Sequence, residues 1–462
     1  MTKTNQVEEI QDNIQFQLTD ELIEKVEILV EDENDKEIKL LLNEYHYADI
    51  AEILDELDAD DAVYVIKLLD SGLTSDILME LDEDNREDIL KQLSAKEIAE
   101  EVEELDTDDA ADIISELSED RQLQVISRIE DEEHREEITE LLAYDEDSAG
   151  GLMAKELVKV YETWTVAGCL RRIRGQAKEV TRVHSIYVVD KEEKLIGRLS
   201  LKDLIVAKSD QKIADIAKDN VDWVNVNDDE EDVAKVMAKY DLEAIPVVDD
   251  NQVLLGRITI DDIVDVLKEE AEKDYQLAAG ITQDVEADDS ILELTRARLP
   301  WLFLGLVGGV GAFIIMEGFQ KAFDSYKVLF FFTPLIAAMA GNVGVQSSAI
   351  IVQGLANDDV KGSVNNRLIK EMLLAALNGI ILALFLLLFV WAWEHDFKMA
   401  LAISVSLVAV IIVAGLIGTF IPLFLDKRGI DPAIATGPFI TTSNDIFGIL
   451  IYFWIAKLIL GI

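Results

Sequence analysis

The chain has 462 residues, of which 92 are Asp or Glu and 41 are Lys or Arg, so its formal net charge is −51, yet its mean hydropathy is positive at +0.16. Charge and apolarity are segregated: only 9 basic and 10 acidic residues occur from Leu299 onward, so residues 1–298 carry −50 and the rest −1. The acidic part excludes a nucleic-acid-binding protein because it repels phosphates, and the single cysteine, Cys169, excludes a disulfide framework.

The chain begins with a polar N-terminal extension, residues 1–40, and a repeat follows it. The motif Glu-Leu-Asp-x-Asp-Asp/Asn starts at residues 56, 80 and 104, a period of 24 residues, with weaker echoes halfway. Each half-repeat places Asp or Ser before acidic residues, as at a helix start, and then spaces Leu and Ile by three and four. Residues 41–148 are therefore predicted to form an all-α, acidic superhelix of short helices.

Residues 149–268 change to a duplicated pattern of β-branched runs and helices. Runs at 183–190 and 194–200 precede a helix start at Leu201, and runs at 244–249 and 254–259 precede a second helix start at Ile260. Each copy closes on Gly-x-x-Ser/Thr-x-x-Asp, ending at Asp203 and Asp262. This duplicated βαββα unit resembles a tandem pair of CBS domains (a Bateman module), which would occupy residues 149–212 and 213–268.

A charged connecting (plug) helix, residues 269–298, is predicted to lead into a membrane domain over 299–462. Its five apolar stretches, each about as long as a bilayer-spanning helix requires, are residues 300–319, 328–352, 372–393, 399–425 and 433–460. Seven basic residues near span ends on the N-terminal side, against four on the other, favour cytoplasmic N-terminal domains and an outside C-terminus. The expected location is the cytoplasmic membrane, with several spans in the lipid bilayer.

Polar residues inside these spans point to an ion path. Asp445 lies about 12 residues into the fifth stretch, roughly 18 Å from its start, and every other acidic residue after Leu299 lies at or beyond a span end. Because no span interior offers a basic partner, this carboxylate is expected to await a cation, the alternative being a protonated or paired group inside the bundle. In the second span, Asn342 and Gln346 would place amides on one face of a water-filled path, while the neighbouring glycines would also allow close helix packing.

These features together resemble the MgtE family of magnesium channels. The resemblance rests on the acidic superhelix, the CBS pair, the connecting helix and five spans with Pro…Gly-Asn-x-Gly-x-Gln and Asp-Pro-Ala…Gly-Pro…Thr-Thr-x-x-Asp. It implies a homodimer with its pore on the dimer axis, and paired Asp445 side chains as the pore-centre Mg²⁺ site. The other pore-lining residues that it implies are Gly341, Asn342, Gly344, Gln346, Gly437, Thr441 and Thr442.

The resemblance also implies that the cytosolic domains bind regulatory Mg²⁺ and then close the pore. The positions implied as ligands are Asp76, Asp108, Asp112, Glu231, Asp241, Asp262, Glu270, Asp274 and Asp431. CBS modules often bind adenine nucleotides, so ATP or another adenine nucleotide is a candidate ligand, and Asp203 or Asp262 could hold its ribose.

The function predicted from the sequence is a Mg²⁺-selective channel that imports magnesium and is closed by cytosolic Mg²⁺. An enzyme is not expected, because an intramembrane aspartyl protease requires two deep Asp residues and the spans contain one. The alternative is an alternating-access carrier of divalent cations (Mg²⁺, Co²⁺, Mn²⁺) that uses the same Asp445. Inverted repeats would favour the carrier, but five spans do not divide into equal halves.

Overall fold

The computed structural model describes residues 16–177, 182–282, 289–321, 326–356, 363–435 and 437–461, together with Val180, Val285, Asp324 and Val360. The chain divides into two compact units, Met1–Leu267 and Lys268–Ile462. Each unit is described by itself.

The described part of the first unit opens with ten short helices. They are α1 (Asp20–Glu31), α2 (Asp35–Leu42), α3 (Tyr47–Asp55), α4 (Ala59–Ile66), α5 (Ser71–Glu80), α6 (Glu83–Gln92), α7 (Ala95–Val102), α8 (Thr107–Ser115), α9 (Glu119–Ile126) and α10 (Glu132–Leu141). From α3 onward they begin every 12 or 13 residues, as the repeat requires. Ser94 and Glu97 form a reciprocal capping box at the start of α7. The predicted all-α acidic superhelix is thereby confirmed.

The polar extension predicted for residues 1–40 is wrong for its second half. Helices α1 and α2 bury Val26, Val30, Ile38 and Leu42 in the same core as the repeat helices. These apolar residues are paired four apart, so each pair lies on one helix face, but the surrounding charges hide them in a composition count. Residues 1–15 lie outside the described residues.

Two copies of one α/β arrangement follow, as predicted, and the last helix of the second copy extends into the second unit. The first copy is β1 (Val158–Tyr161), α11 (Val166–Gln176), β2 (Ile186–Val189), β3 (Leu195–Leu199) and α12 (Leu201–Val206); the second is β4 (Val224–Asn225), α13 (Glu230–Tyr240), β5 (Ala244–Val248), β6 (Leu254–Thr259) and α14 (Ile260–Ala279). In each three-stranded sheet the middle strand pairs parallel with the first strand and antiparallel with the third. Strands β2 and β5 are buried along their whole length, which explains their continuous apolar sequence.

The second unit contains five helices long and apolar enough to cross a membrane. They are α15 (Ile291–Phe319), the pair α16 (Val328–Phe331) and α17 (Thr333–Ala356), α18 (Val364–Glu394), α19 (Phe397–Asp426) and α20 (Gly437–Leu460). Helix α19 is the most buried of the five and packs against α17, α18 and α20. The predicted five-helix domain is confirmed.

Two predicted boundaries in this unit are wrong. The connecting helix 269–298 is not continuous: α14 ends at Ala279, Gly280 has φ +84°, and Ser290 caps α15. The fifth stretch, 433–460, begins with a 3₁₀ turn at Pro432–Ala435, and the helix starts only at Gly437. Both glycines have positive φ, a conformation that favours glycine and ends regular helix.

Candidate functional site: a membrane cavity and an acidic cluster

A cavity of about 420 Å³ lies between α17 and α20 in the membrane unit. Its wall consists of Ala337, Ala338, Gly341, Asn342, Val345 and Gln346 from α17, and Thr441 and Asp445 from α20. The α17 residues recur at helical spacing, so they form one face, and the two α20 residues are one turn apart. The structure thus brings five of the predicted pore residues together: Gly341, Asn342, Gln346, Thr441 and Asp445.

The start of α20 determines where Asp445 lies. Asp445 is the ninth residue of this helix, about 12 Å along it at 1.5 Å per residue. One turn before it, Thr441 Oγ1 donates a hydrogen bond to the Gly437 carbonyl at 2.9 Å. The Asp445 side chain is half-buried, and no charged or hydrogen-bonding neighbour among the described residues compensates its desolvation.

The chemistry of the cavity suits a hydrated divalent cation. One carboxylate, two side-chain amides and one hydroxyl supply only oxygen and amide dipoles, with no thiolate or imidazole. Hard cations such as Mg²⁺ prefer oxygen ligands, and Mg²⁺ keeps several of its waters. The arrangement can therefore hold a hydrated cation through outer-sphere contacts.

Three predicted pore residues lie outside the wall of this cavity. The space beside Gly344 is occupied by Asn444 and Ile440, the Thr442 methyl packs onto Gly308 of α15, and Gly437 abuts the Ala278 carbonyl. These three residues therefore face neighbouring helices and not the cavity. The wall residues that the sequence analysis missed, Ala337, Ala338 and Val345, are apolar and carry no chemical signal. Their spacing from Gly341 and Asn342 is the pattern that would have indicated them.

A second carboxylate of the membrane unit, Glu371, was expected at the edge of the third apolar stretch. Helix α18 in fact begins seven residues earlier, at Val364, so Glu371 lies well within the helix. Its Oε1 accepts a hydrogen bond from Ser347 Oγ at 2.6 Å. Gly415 of α19 faces it so closely that an added Cβ would lie 2.9 Å from Oε1. Glu371 of α18 therefore lies between α17, which lines the cavity, and α19.

The first unit contains a group of carboxylates that we call the acidic cluster: Asp106, Asp108, Asp109, Asp112 and Asp262. Asp106 is the N-cap of α8, Asp108 and Asp109 lie in its first turn and Asp112 in its second, and Asp262 lies in the first turn of α14. Thr259 holds Asp262 in place by donating its N–H and hydroxyl to Oδ2 at 2.9 and 2.8 Å. The structure thus brings together the predicted Asp108, Asp112 and Asp262, and adds two acids that the sequence analysis did not name.

The acidic cluster is electrostatically unfavourable when fully ionised. Burial, followed by the charges of neighbouring carboxylates, raises the pKa of Asp106 to about 6, of Asp109 to about 8 and of Asp108 well above its ordinary range. Desolvation, followed by the charge of Asp262, raises the pKa of Asp112 to about 7. Burial also raises the pKa of Asp262, against the two hydrogen bonds from Thr259. A bound cation would offset this repulsion.

Three carboxylates at the edge of the cluster have the spacing of metal ligands. One oxygen each from Asp106, Asp108 and Glu156 lie within 4.8 Å of one another. Glu156 is held at the start of α8, where it accepts hydrogen bonds from the Thr107 N–H at 3.2 Å and hydroxyl at 2.8 Å. Arg257 Nη2 lies 3.8 Å from Asp106 Oδ2. Glu156 was missed because it lies far from the repeat in sequence and its segment carries no motif.

The other predicted ligands of the first unit have local partners. Asp76 lies near His46 and Tyr47, and Glu231 pairs with Lys235 at 2.8 Å. Asp241 ends α13 in the left-handed conformation, with φ 50°. Asp203 caps α12, because its Oδ2 accepts hydrogen bonds from the Ser200 N–H and hydroxyl. Among the described residues, none of these joins the acidic cluster or the Asp106–Asp108–Glu156 group.

In the second unit the predicted regulatory acids lie on two segments that meet. Glu270 and Asp274 are four apart on α14, with Glu270 paired to Lys273 at 2.7 Å. Asp431 precedes the 3₁₀ turn, where its Oδ1 accepts the Ala433 N–H at 2.7 Å. The end of α14 contacts the start of α20, since an added Cβ at Gly437 would overlap the carbonyl oxygen of residue 278.

Comparison with known proteins gives matches to the N-terminal domain, the CBS pair and most of the membrane domain. A family model described as a divalent cation transporter matches residues 333–455, the MgtE intracellular N domain matches 45–147, and CBS domains match 149–210 and 213–269. The magnesium transporter MgtE of Enterococcus faecalis is 38% identical over 71% of this chain and 72% of its own length, and that of Thermus thermophilus is 36% identical over 71% and 73%. A solved cytosolic domain of the Mg²⁺ channel MgtE in complex with ATP is 34% identical, with a TM-score of 0.50, over 53% of this chain and 99% of that chain.

Proposed function

The chain belongs to the MgtE family of magnesium transporters, and on that premise we propose that it is a Mg²⁺-selective channel that is closed by Mg²⁺ in the cytosol. The observation that carries the proposal is the Asp445 carboxylate in the wall of a membrane cavity, beside the amides of Asn342 and Gln346. We further propose that the protein lies in the cytoplasmic membrane with its acidic N-terminal domains in the cytosol.

Selection of Mg²⁺ follows from the ligands that line the cavity. Mg²⁺ releases its waters reluctantly, so a pore is best served by contacts to the hydrated ion. A carboxylate and two amides on opposite helices supply such contacts without stripping the shell. The cavity of about 420 Å³ leaves room for water around the ion.

A homodimer is the working unit that this chemistry favours. One chain supplies one cavity carboxylate, which balances half of the charge of a divalent ion. A two-fold axis beside the cavity would bring a second Asp445 to the same ion. Two carboxylates then neutralise one Mg²⁺, and an ion that enters is held by charge without tight coordination.

Closure by Mg²⁺ follows from the acidic cluster. Desolvation and, after it, the charges of neighbouring carboxylates raise the pKa values of Asp108, Asp109 and Asp112, so ionising these groups together is unfavourable without a bound cation. Mg²⁺ bound in the acidic cluster, with Glu156 as a further ligand, would favour the packed arrangement of α8 against the start of α14. Each ion shifts the equilibrium only by its preference for one state, so several sites acting together produce a steep response.

We propose an adenine nucleotide as a second ligand, bound by the CBS pair. A relative's cytosolic domain was solved with ATP. In this chain Asp203 and Asp262 each use Oδ2 to cap a helix, which leaves Oδ1 for a ribose hydroxyl. Isothermal titration of the full-length protein with ATP tests this, and Asp203→Ala together with Asp262→Ala should remove the binding heat.

The pore assignment is tested by Mg²⁺ flux into proteoliposomes. Asp445→Asn keeps the size of the side chain but removes its charge, so Mg²⁺ flux should fall to background while the protein stays folded. Asp426→Asn is the matched control, because Asp426 is an exposed acid at the end of α19, and its flux should equal that of the wild type. Wild-type flux through folded Asp445→Asn protein would refute the assignment.

The gating assignment is tested by recording open probability against Mg²⁺ on the side of the N-terminal domains. Changing Asp108, Asp112 and Asp262 together to Asn removes three of the carboxylates proposed to bind Mg²⁺, so closure should require a higher Mg²⁺ concentration. The selectivity of the pore should stay unchanged, because Asp445 is untouched. Superimposable wild-type and triple-variant curves would show that gating lies elsewhere.

A further inference from the structure

Asn444 is the residue before Asp445, and it points away from the cavity into the helix packing. Its side chain is only 1% exposed. The Nδ2 group donates a hydrogen bond to the Ala340 carbonyl of α17 at 3.3 Å. Among the described residues, nothing donates a hydrogen bond to its Oδ1. A buried polar atom without a partner is unfavourable, so its presence calls for an explanation other than stability.

The amide of Asn444 fits only because the facing residue of α17 is glycine. A Cβ at Gly344 would overlap Asn444 Nδ2 and would lie 2.7 Å from Ile440 Cγ2. From the other side, Gly418 of α19 approaches the Gly344 backbone so closely that an added Cβ would overlap its carbonyl oxygen. The backbones of α17 and α19 are therefore closely packed at this level, and side chains of α20 pack against the same glycine, Gly344.

The hydrogen bond connects the two walls of the cavity. Ala340 directly precedes Gly341 and Asn342, which line the cavity, and Asn444 directly precedes Asp445 on the opposite wall. Consecutive residues of an α-helix are about 100° apart around the axis. Fixing the rotation of α20 at Asn444 therefore fixes the direction of the Asp445 carboxylate.

We propose that Asn444 is a positioning residue for ion selection: its hydrogen bond to Ala340 sets the distance between the Asp445 carboxylate and the amides of α17. The proposal rests on the proposed function of the cavity. A rotation of α20 by about 20° would move a carboxylate about 6 Å from the helix axis by about 2 Å. Mg²⁺ keeps its octahedral shell of waters, whereas the shell of Ca²⁺ varies in ligand number and distance, so a fixed spacing of the outer-sphere groups favours hydrated Mg²⁺. Loss of the hydrogen bond should therefore cost discrimination between the two ions before it costs flux.

The experiment is the ratio of Mg²⁺ to Ca²⁺ flux in proteoliposomes for the full-length protein, per folded channel. Asn444→Leu keeps the volume and removes the hydrogen bond, and we expect the ratio to fall about tenfold, the effect of one hydrogen bond. Asn444→Ala is the second variant, which avoids any clash if Leu disturbs folding. Ser404→Ala is the matched control, because Ser404 of α19 is likewise buried, at 3% exposed, and among the described residues its hydroxyl has no hydrogen-bond partner. It lies outside the cavity wall, so the flux ratio of this variant should not change.

A size exchange separates positioning from packing. Gly344→Ala should displace the Asn444 amide and lower the ratio, and Asn444→Ala in the same chain should restore part of the thermal stability, by removing the clash with the amide, without restoring the ratio. A double variant with the wild-type ratio, or an unchanged ratio in both Asn444 variants, would overturn the proposal. If Asp445→Asn abolishes flux while the Asn444 variants stay selective, only the positioning role fails. Mg²⁺ flux through Asp445→Asn would instead refute the proposed pore assignment.

Discussion

Neutralising Asp109 should stabilise the packing of α8 in the absence of Mg²⁺, although it removes one of the carboxylates of the acidic cluster. The pKa of Asp109 is about 8, against an ordinary 3.8, because of burial and then the charges of Asp262 and Asp112. At about 1.4 kcal/mol per pH unit, ionising this group in the folded protein costs up to about 6 kcal/mol at pH 8. Partial exposure and the shared charge of its neighbours reduce this, so we expect about 2 kcal/mol.

The direction of the pH dependence follows from the linkage between protonation and folding. A carboxyl whose folded pKa is raised stabilises the folded arrangement most below its ordinary pKa, and the contribution is lost as the pH rises toward 8. Asp109→Asn removes that loss. Its advantage should therefore be largest near pH 8 and should shrink as the pH falls toward 4, where the wild-type carboxyl is protonated.

The assay is amide hydrogen exchange of α8 in the full-length protein in nanodiscs, without divalent cations. At pH 8, about 2 kcal/mol corresponds to exchange slowed roughly 30-fold in Asp109→Asn. Addition of Mg²⁺ should slow exchange in the wild type more than in the variant. Glu136→Gln, an exposed acid of α10, is the control and should exchange as the wild type. Unchanged or faster α8 exchange in Mg²⁺-free Asp109→Asn would refute the electrostatic argument.

The remaining predictions concern the membrane unit. Glu371→Leu should lose about 1–3 kcal/mol of stability, because the Ser347 hydroxyl loses its acceptor, and Glu371→Gln should lose less. Thermal unfolding in detergent measures both losses. A Leu variant as stable as the wild type would contradict the role of this contact. Gly437→Ala should weaken closure, because the added Cβ meets the Ala278 carbonyl, whereas Gly429→Ala, also at positive φ but in open space, should show backbone strain alone. Equal open probabilities at high Mg²⁺ for these two variants would argue against coupling through this contact.

The features that the sequence determined are local ones. The repeat of 24 residues, the duplicated strand pattern and the five apolar stretches each depend on residue types within one element, and the structure has all three. Asp445 belongs with them, since a lone acid deep in an apolar stretch is evident without knowing its neighbours. Its partners Asn342 and Thr441 also lie on the cavity wall.

Tertiary structure alone decided which faces of the membrane helices meet. Helices α15 to α20 are apolar on all sides, so periodicity does not indicate a buried face, and Gly344 and Thr442 could not be separated from the true wall residues. The break at Gly280 and the late start at Gly437 depend on the contacts of Pro438 and Ala278. The acidic cluster likewise gathers carboxylates from two domains distant in sequence, and Asn444 gains its role only from the glycine opposite. Each of these depends on distances between separate elements, which no pattern within a single element contains.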